Sequence, residues 1–223
     1  MSLAKEFAVR YAGLRQAYGT FTANNETRED GKASGKNITI SKELSDSDLL
    51  KLWEDHLSGH QSVGIVAIDE HNKCVWGAID VDEYQLDLKD LAIKIAKQEL
   101  PLVLCRSKSG GAHIYIFLTE PVSASMLQRK LRQIAAAIGY GQVEIFPKQT
   151  KLLLDRGDRG STLNMPYFGG ENSTRYAYDK KGAAMTPEEF LNYTKEIELT
   201  PSQLEKLEAS PLTETMDWLD QAP

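Results

Sequence analysis

Cysteine is scarce in this chain: two residues in 223, Cys74 and Cys105. Each stands alone in an apolar stretch, so neither metal-ligand spacing nor a disulfide framework is available, and both are expected as reduced core residues. No apolar run approaches the roughly 18 residues that a membrane-spanning helix needs. The opening MSLAKEFAVRYAG lacks the basic-then-apolar order of a signal peptide, and cytoplasmic residence is the expectation. Internal repeats and low-complexity tracts are absent as well. Positive charge is in short supply: 26 Lys and Arg stand against 32 Asp and Glu, a net charge of −6. That balance excludes a protein that coats nucleic acid indiscriminately.

The hydrophobic share of 41% and charged share of 26% are those of an ordinary folded protein, and the length suits one domain or a close pair of lobes. Charge is unevenly spread. Residues 101–160 carry nine Lys and Arg against four Asp and Glu, while the rest carries 17 against 28. A basic segment in an acidic shell suits a localised polyanion site. Part of it, Arg129, Lys130 and Arg132, is equally consistent with a solvated helix face.

Apolar spacing predicts helices over about 3–17, 46–58, 87–98, 124–138 and 186–197, the second opened by Ser45 and Asp48 in a capping box. Residues 20–37, rich in Thr, Asn, Gly and Lys, read as a loop. Ser62–Ile68 and Cys74–Val81 read as a hairpin across the turn Asp69–Asn72. Further strands are expected at Leu102–Cys105, His113–Leu118 and Val143–Phe146, with weaker ones at Leu163–Phe168 and Arg175–Asp179. Strand, helix, strand, strand, helix, strand is the order of a ferredoxin-like or RNA-recognition-like (RRM) antiparallel sheet, which places the chain in the α+β class.

Three motifs carry chemistry. In Ala78-Ile79-Asp80-Val81-Asp82, two acids two apart on a strand share a face and repel unless a cation lies between them. Oxygen donors of this hardness suit magnesium or manganese. In Ser107-Lys108-Ser109-Gly110-Gly111-Ala112-His113, glycine-turn amides, hydroxyls and a lysine can hold an anion. In Val143-Glu144-Ile145-Phe146 a lone acid sits in an apolar strand, a costly placement unless it is paired or metal-bound. Each motif has a plain structural alternative: a polar strand end, an ordinary turn, or an outward-facing residue.

Taken together, Asp-x-Asp, a Ser/Gly turn with His, and an acid within a strand resemble the three-motif signature of the archaeo-eukaryotic primase (AEP) superfamily. Cys105–Leu118 (CRSKSGGAHIYIFL), Glu144–Gln149 (EIFPKQ) and Leu163–Phe168 (LNMPYF) are closer still to the primase-polymerase group of phages and TOTE conflict systems. The resemblance runs from about residue 10 to 195. One departure concerns the second motif, where Gly111 stands two before His113 and serine falls instead at Ser109.

The resemblance implies an AEP-type catalytic domain over 1–200, with an N-terminal α/β module over about 1–60, an RRM-like palm over about 61–180 and a helical tail or linker over 201–223. It implies two Mg2+ or Mn2+ ions held by Asp80, Asp82 and Glu144. It further implies nucleotide binding by Arg106, Ser107, Lys108, Ser109, Gly110, Gly111, His113 and Lys148, with Asn164 and Tyr167 lining the nucleotide or template pocket. Lys32 and Lys36 would touch nucleic acid. The implied partners are a single-stranded DNA template with its primer, dNTPs or NTPs, and a helicase in the same or a separate chain, acting in a bacterial cytoplasm or that of a phage's host. The implied reaction is attack of a primer 3′-hydroxyl on an α-phosphate, with pyrophosphate leaving. Two other readings stay open. A metal-dependent nickase would need clustered histidines, which His113 lacks; a non-catalytic single-strand binder would need exposed aromatics and a basic groove.

Overall fold

The chain opens with helix α1 (Leu3–Arg10), capped by the Ser2 hydroxyl, and Phe7 and then Tyr11, just past its end, drive into the core. This computed structural model describes residues 1–27, 33–83 and 85–210. Strands β1 (Ala17–Thr27) and β2 (Ala33–Ser41) pair antiparallel. The loop expected over 20–37 is therefore a long hairpin. Lys36, Asn37 and Thr39 of β2 are exposed, so polar residues fill its open face without producing an apolar signal. Helix α2 (Asp46–Leu57) begins at the capping box expected from Ser45 and Asp48, with both reciprocal bonds made.

Next come β3 (Gly64–Val66), β4 (Lys73–Val81), α3 (Leu88–Lys97), β5 (Val103–Arg106), β6 (Ala112–Ser123), α4 (Ala124–Ala137) and β7 (Glu144–Phe146). After β8 (Thr162–Asn164), helices α5 (Pro187–Ile197) and α6 (Pro201–Lys206) close the described chain. Around 175–179 there are only isolated bridges, Cys105 to Ala177 and Tyr178 to Ala184, in place of the expected strand.

Two four-stranded sheets result, ordered β2-β1-β3-β8 and β5-β6-β4-β7. The second is the ferredoxin-like order that the sequence implied, with every neighbouring pair antiparallel. The expected hairpin of β3 and β4 does not form. Asp69 and Lys73 close the turn with a 2.8 Å bond, but β3 pairs with β1 and β8 and so belongs to the other sheet. Strand composition reports burial and carries no record of the partner.

The two faces of the second sheet bury different chemistry. Ile79, Val81, Ile114, Ile116 and Ile145 pack with Leu91 and Ile95 of α3 and Leu127, Leu131 and Ile134 of α4. On the other face Trp76, Tyr115, Phe117 and Phe146 meet Phe7, Tyr11, Trp53, Tyr167 and Phe190. Tyr11 sits at the centre of that aromatic core, 5.2 Å from Trp76 and 5.4 Å from Tyr115 between ring centroids. Strand alternation makes this division: residues 76, 78 and 80 of β4 share the aromatic face, and the face ends in an acid.

Candidate active site

At the end of the aromatic face, the register lines up four residues across the four strands. His113 of β6 stands opposite Cys105 of β5 on one side and Asp80 of β4 on the other, and Asp80 stands opposite Glu144 of β7. Directly opposed residues project to the same face. Asp80 and Glu144, 64 positions apart in sequence, are thereby neighbours.

Asp80 and His113 are nearly enclosed, their side chains 12% and 8% exposed. The His113 ring is held at both ends, Nδ1 lying 3.1 Å from the Tyr115 hydroxyl and Nε2 3.3 Å from Asp80 Oδ1. That approach is not aligned as a hydrogen bond, and Asp80 Oδ1 is buried without a bonded partner. A buried carboxylate oxygen left this way is expensive unless a cation completes it. Asp82 lies just past the end of β4 and is exposed, so the two acids are not both within the strand. They still interact: burial first, and Asp80's charge second, hold the Asp82 carboxyl above its usual range. Glu144 is turned outward, 57% exposed, with Oε2 2.5 Å from Lys148 Nζ. Among the described residues no three His, Cys, Asp or Glu side chains are gathered tightly enough to form a cation cage. The donor chemistry nonetheless fits a hard divalent ion: an orphaned buried oxygen, a repelled neighbouring carboxyl and a third acid in register beside them.

The turn from β5 to β6 is built for close approach. Ser107 N–H donates to Gly111 O at 2.8 Å and Gly110 N–H to Ser107 O at 3.2 Å. Gly110 has φ +99°, and a Cβ on Gly111 would run into the Val81 carbonyl, so both positions need glycine. The N–H groups of Lys108 and Ser109 have no acceptor among the described residues, the arrangement of an anion-binding concavity. The Ser107 and Ser109 hydroxyls are 3.2 Å apart, and Ser109 donates to Asp82 Oδ1 at 3.4 Å. Arg106 donates from Nη1 to Thr174 O at 3.4 Å.

Two residues beyond the motifs join this region. Arg175 is 9% exposed, lies 4.9 Å from the Phe168 ring centroid and has Nη1 buried without a partner. Burial pushes its guanidinium down to about 10. Burial, and then Arg175's charge, push the Lys108 ammonium down to about 8. Lys108 Nζ rests 2.7 Å over the ring centroid of Phe21 in β1. A lone arginine among the aromatics of Thr174–Tyr178 was the only sequence signal for Arg175; nothing local pointed to Phe21.

Tyr167 does not line a pocket. It is 1% exposed, its hydroxyl donates to Met185 O and accepts from Ala177 N–H, and its ring packs on Phe7 and Phe190. Asn164 is half-buried on β8, in register with Gly64 of the first sheet. Lys36 is exposed on the outer strand β2, and Lys32 lies outside the described residues.

The ferredoxin-like sheet thus carries two acids and a histidine in one register row, beside a glycine-built turn. The chain matches the family described as "TOTE conflict system, Archaeo-Eukaryotic Primase domain" over residues 5–200, and it belongs to that family of primase-like nucleotidyltransferases. A comparison with curated proteins returned no match. Among the described residues no helix is long and apolar enough to cross a membrane.

Proposed function

We propose that this chain is a template-dependent primase-polymerase domain, adding nucleotides from (d)NTPs to a 3′-hydroxyl on a DNA strand. The observation that carries the reading is the row His113–Asp80–Glu144, with Asp80 Oδ1 buried and unsatisfied. Asp80, Asp82 and Glu144 are the residues that would hold Mg2+ or Mn2+. Such ions supply the Lewis acidity that makes a hydroxyl nucleophilic and offsets phosphate charge.

The rest is work for the chain's own groups. The amides of Lys108 and Ser109 and the Ser109 hydroxyl receive the triphosphate tail, with Lys108, Arg106 and Arg175 providing positive charge around it. His113 Nε2, whose approach to Asp80 is not aligned as a hydrogen bond, is the ring nitrogen that would donate toward the oxygen on which charge develops as the pyrophosphate departs. The attacking oxygen forms the new bond to the α-phosphorus as the bond to the β-phosphate bridging oxygen breaks. The hydroxyl proton passes to solvent or to a carboxylate of the row.

Incubation with a primed template, nucleotides and Mg2+ or Mn2+ tests the reading. Extension is expected from the wild type, loss of it in Asp80→Ala, and a fall of about 100-fold in His113→Ala, the scale of removing one donor to a developing charge. Undiminished extension by Asp80→Ala overturns it. Cutting of single strands without nucleotides would point to nuclease chemistry instead.

A further inference from the structure

Outside the register row, at the free edge of the second sheet, lies a groove of about 270 Å3 lined by Arg132, Gln142, Val143, Glu144, Ile145 and Lys148. Its floor is β7, the outermost strand, whose far side has no strand partner among the described residues. Its wall is α4. The Gln128 amide of that helix donates to the carbonyls of Pro147 at 3.0 Å and Lys148 at 2.8 Å, which fixes one stripe of α4 against the end of β7. Arg132 is four residues further along the same stripe and is therefore carried over the groove. It is exposed and has no hydrogen-bond or ion-pair partner among the described residues.

The position of the groove relative to the anion turn matters most. Across the sheet the order is β5, β6, β4, β7. The turn of Ser107–Gly111 and His113 lies on the β5–β6 side, and Glu144 with the groove lies on the opposite side of Asp80. Displacement at phosphorus is in line, so the attacking oxygen approaches from the side opposite the leaving group. A pyrophosphate held at Ser107–Gly111 thus puts the attacking 3′-hydroxyl over Glu144. A strand bearing that hydroxyl can then leave past the β7 edge, round which the groove opens toward α4 on the other face of the sheet.

We infer that this groove holds the sugar-phosphate backbone of the primer strand immediately behind its 3′ end, with Arg132 and Lys148 on the phosphates. This rests on the primase-polymerase reading above. It also gives the Lys148–Glu144 ion pair a role. As Glu144 turns toward Asp80, Lys148 is released, and its charge becomes available on the groove side. The half-buried Val143 suits the sugar face between phosphates.

The test is fluorescence anisotropy of the full chain with a labelled primed template whose primer ends in a dideoxynucleotide, and with the unprimed strand, over a range of salt concentrations. Arg132→Gln, at an exposed position, should leave the melting temperature unchanged. It should weaken primed-template binding about fivefold and lower the salt slope by about one, the signature of one lost phosphate contact, with unprimed-strand binding unchanged. Primed-template binding identical to wild type, in affinity and slope, overturns the inference. Equal weakening on both DNAs also overturns it, because the groove would then serve the template strand. The assay involves no chemistry, so it separates the two proposals: a wild type that binds primer ends through Arg132 yet never extends them would sink the catalytic reading alone.

Discussion

Lys108 keeps its charge in an unfavourable place, half-buried over Phe21 and near a second buried cation, Arg175. With its ammonium pushed down to about 8, it is charged at neutral pH and loses its proton just above it. An anion that interacts with Lys108 favours the protonated form, so affinity must fall as pH rises through that value. Calorimetric titration of a nucleoside triphosphate should therefore show binding that is steady to about pH 7 and weakens by up to about tenfold per pH unit above 8. Lys108→Met should be weaker at neutral pH and flat over that range. Arg175→Met should move the inflection upward, since Arg175 is the second cause of the depression after burial. A wild-type profile without an inflection near 8 would remove Lys108 from the anion site.

Among the elements, α4 does more than cover a sheet face. Gln128 ties the two residues after β7 to the helix, and those carbonyls have no strand partner beyond the edge. Gln128→Ala should cost about 1 kcal/mol in urea unfolding, the usual worth of such bonds when partly exposed. It should also speed amide exchange in 148–151 more than in β4 or β6. The ferredoxin-like order of this region was legible in the sequence because Ile79, Ile114, Ile116 and Ile145 sit at strand spacing and Leu127, Leu131 and Ile134 at helical spacing. The same reading failed for β1 and β2, which hold too many Thr, Asn and Gly residues to display alternation, and it joined β3 to β4 because adjacent strands with a tight turn usually pair. The acids and the anion turn were likewise visible as motifs. The turn of Glu144 onto Lys148, and the contribution of Arg175, depend on contacts between distant segments that no local pattern encodes.

At the scale of the whole molecule, the first sheet and its helices are locked by one buried histidine. His56 of α2 is fully buried; Nδ1 accepts the Val63 N–H at 3.0 Å, and Nε2 stands 2.8 Å from Pro166 O. Accepting at Nδ1 leaves the proton on Nε2, so the ring is neutral and joins α2 to the adjoining ends of β3 and β8. Burial pushes the imidazole down to about 4. Between that value and the ordinary histidine range the unfolded chain binds a proton that the folded chain does not, so stability is complete above about pH 6.5 and declines as pH falls toward 4. The full loss would be about 3 kcal/mol, from the size of the depression. Acids held low in the fold, such as Asp48 beside Lys42 and Ser45, lose their contribution only as pH falls through the carboxylate range, so the loss of stability expected from about 6.5 to 5 is that of His56. Urea unfolding at pH 7 and pH 5 should show a wild type clearly weaker at pH 5. His56→Gln should be weaker at pH 7, because two buried backbone groups lose a fitted partner, but nearly insensitive to this pH step. An equal pH response in the two proteins would mean that the acid sensitivity of the fold lies elsewhere than in the His56 lock.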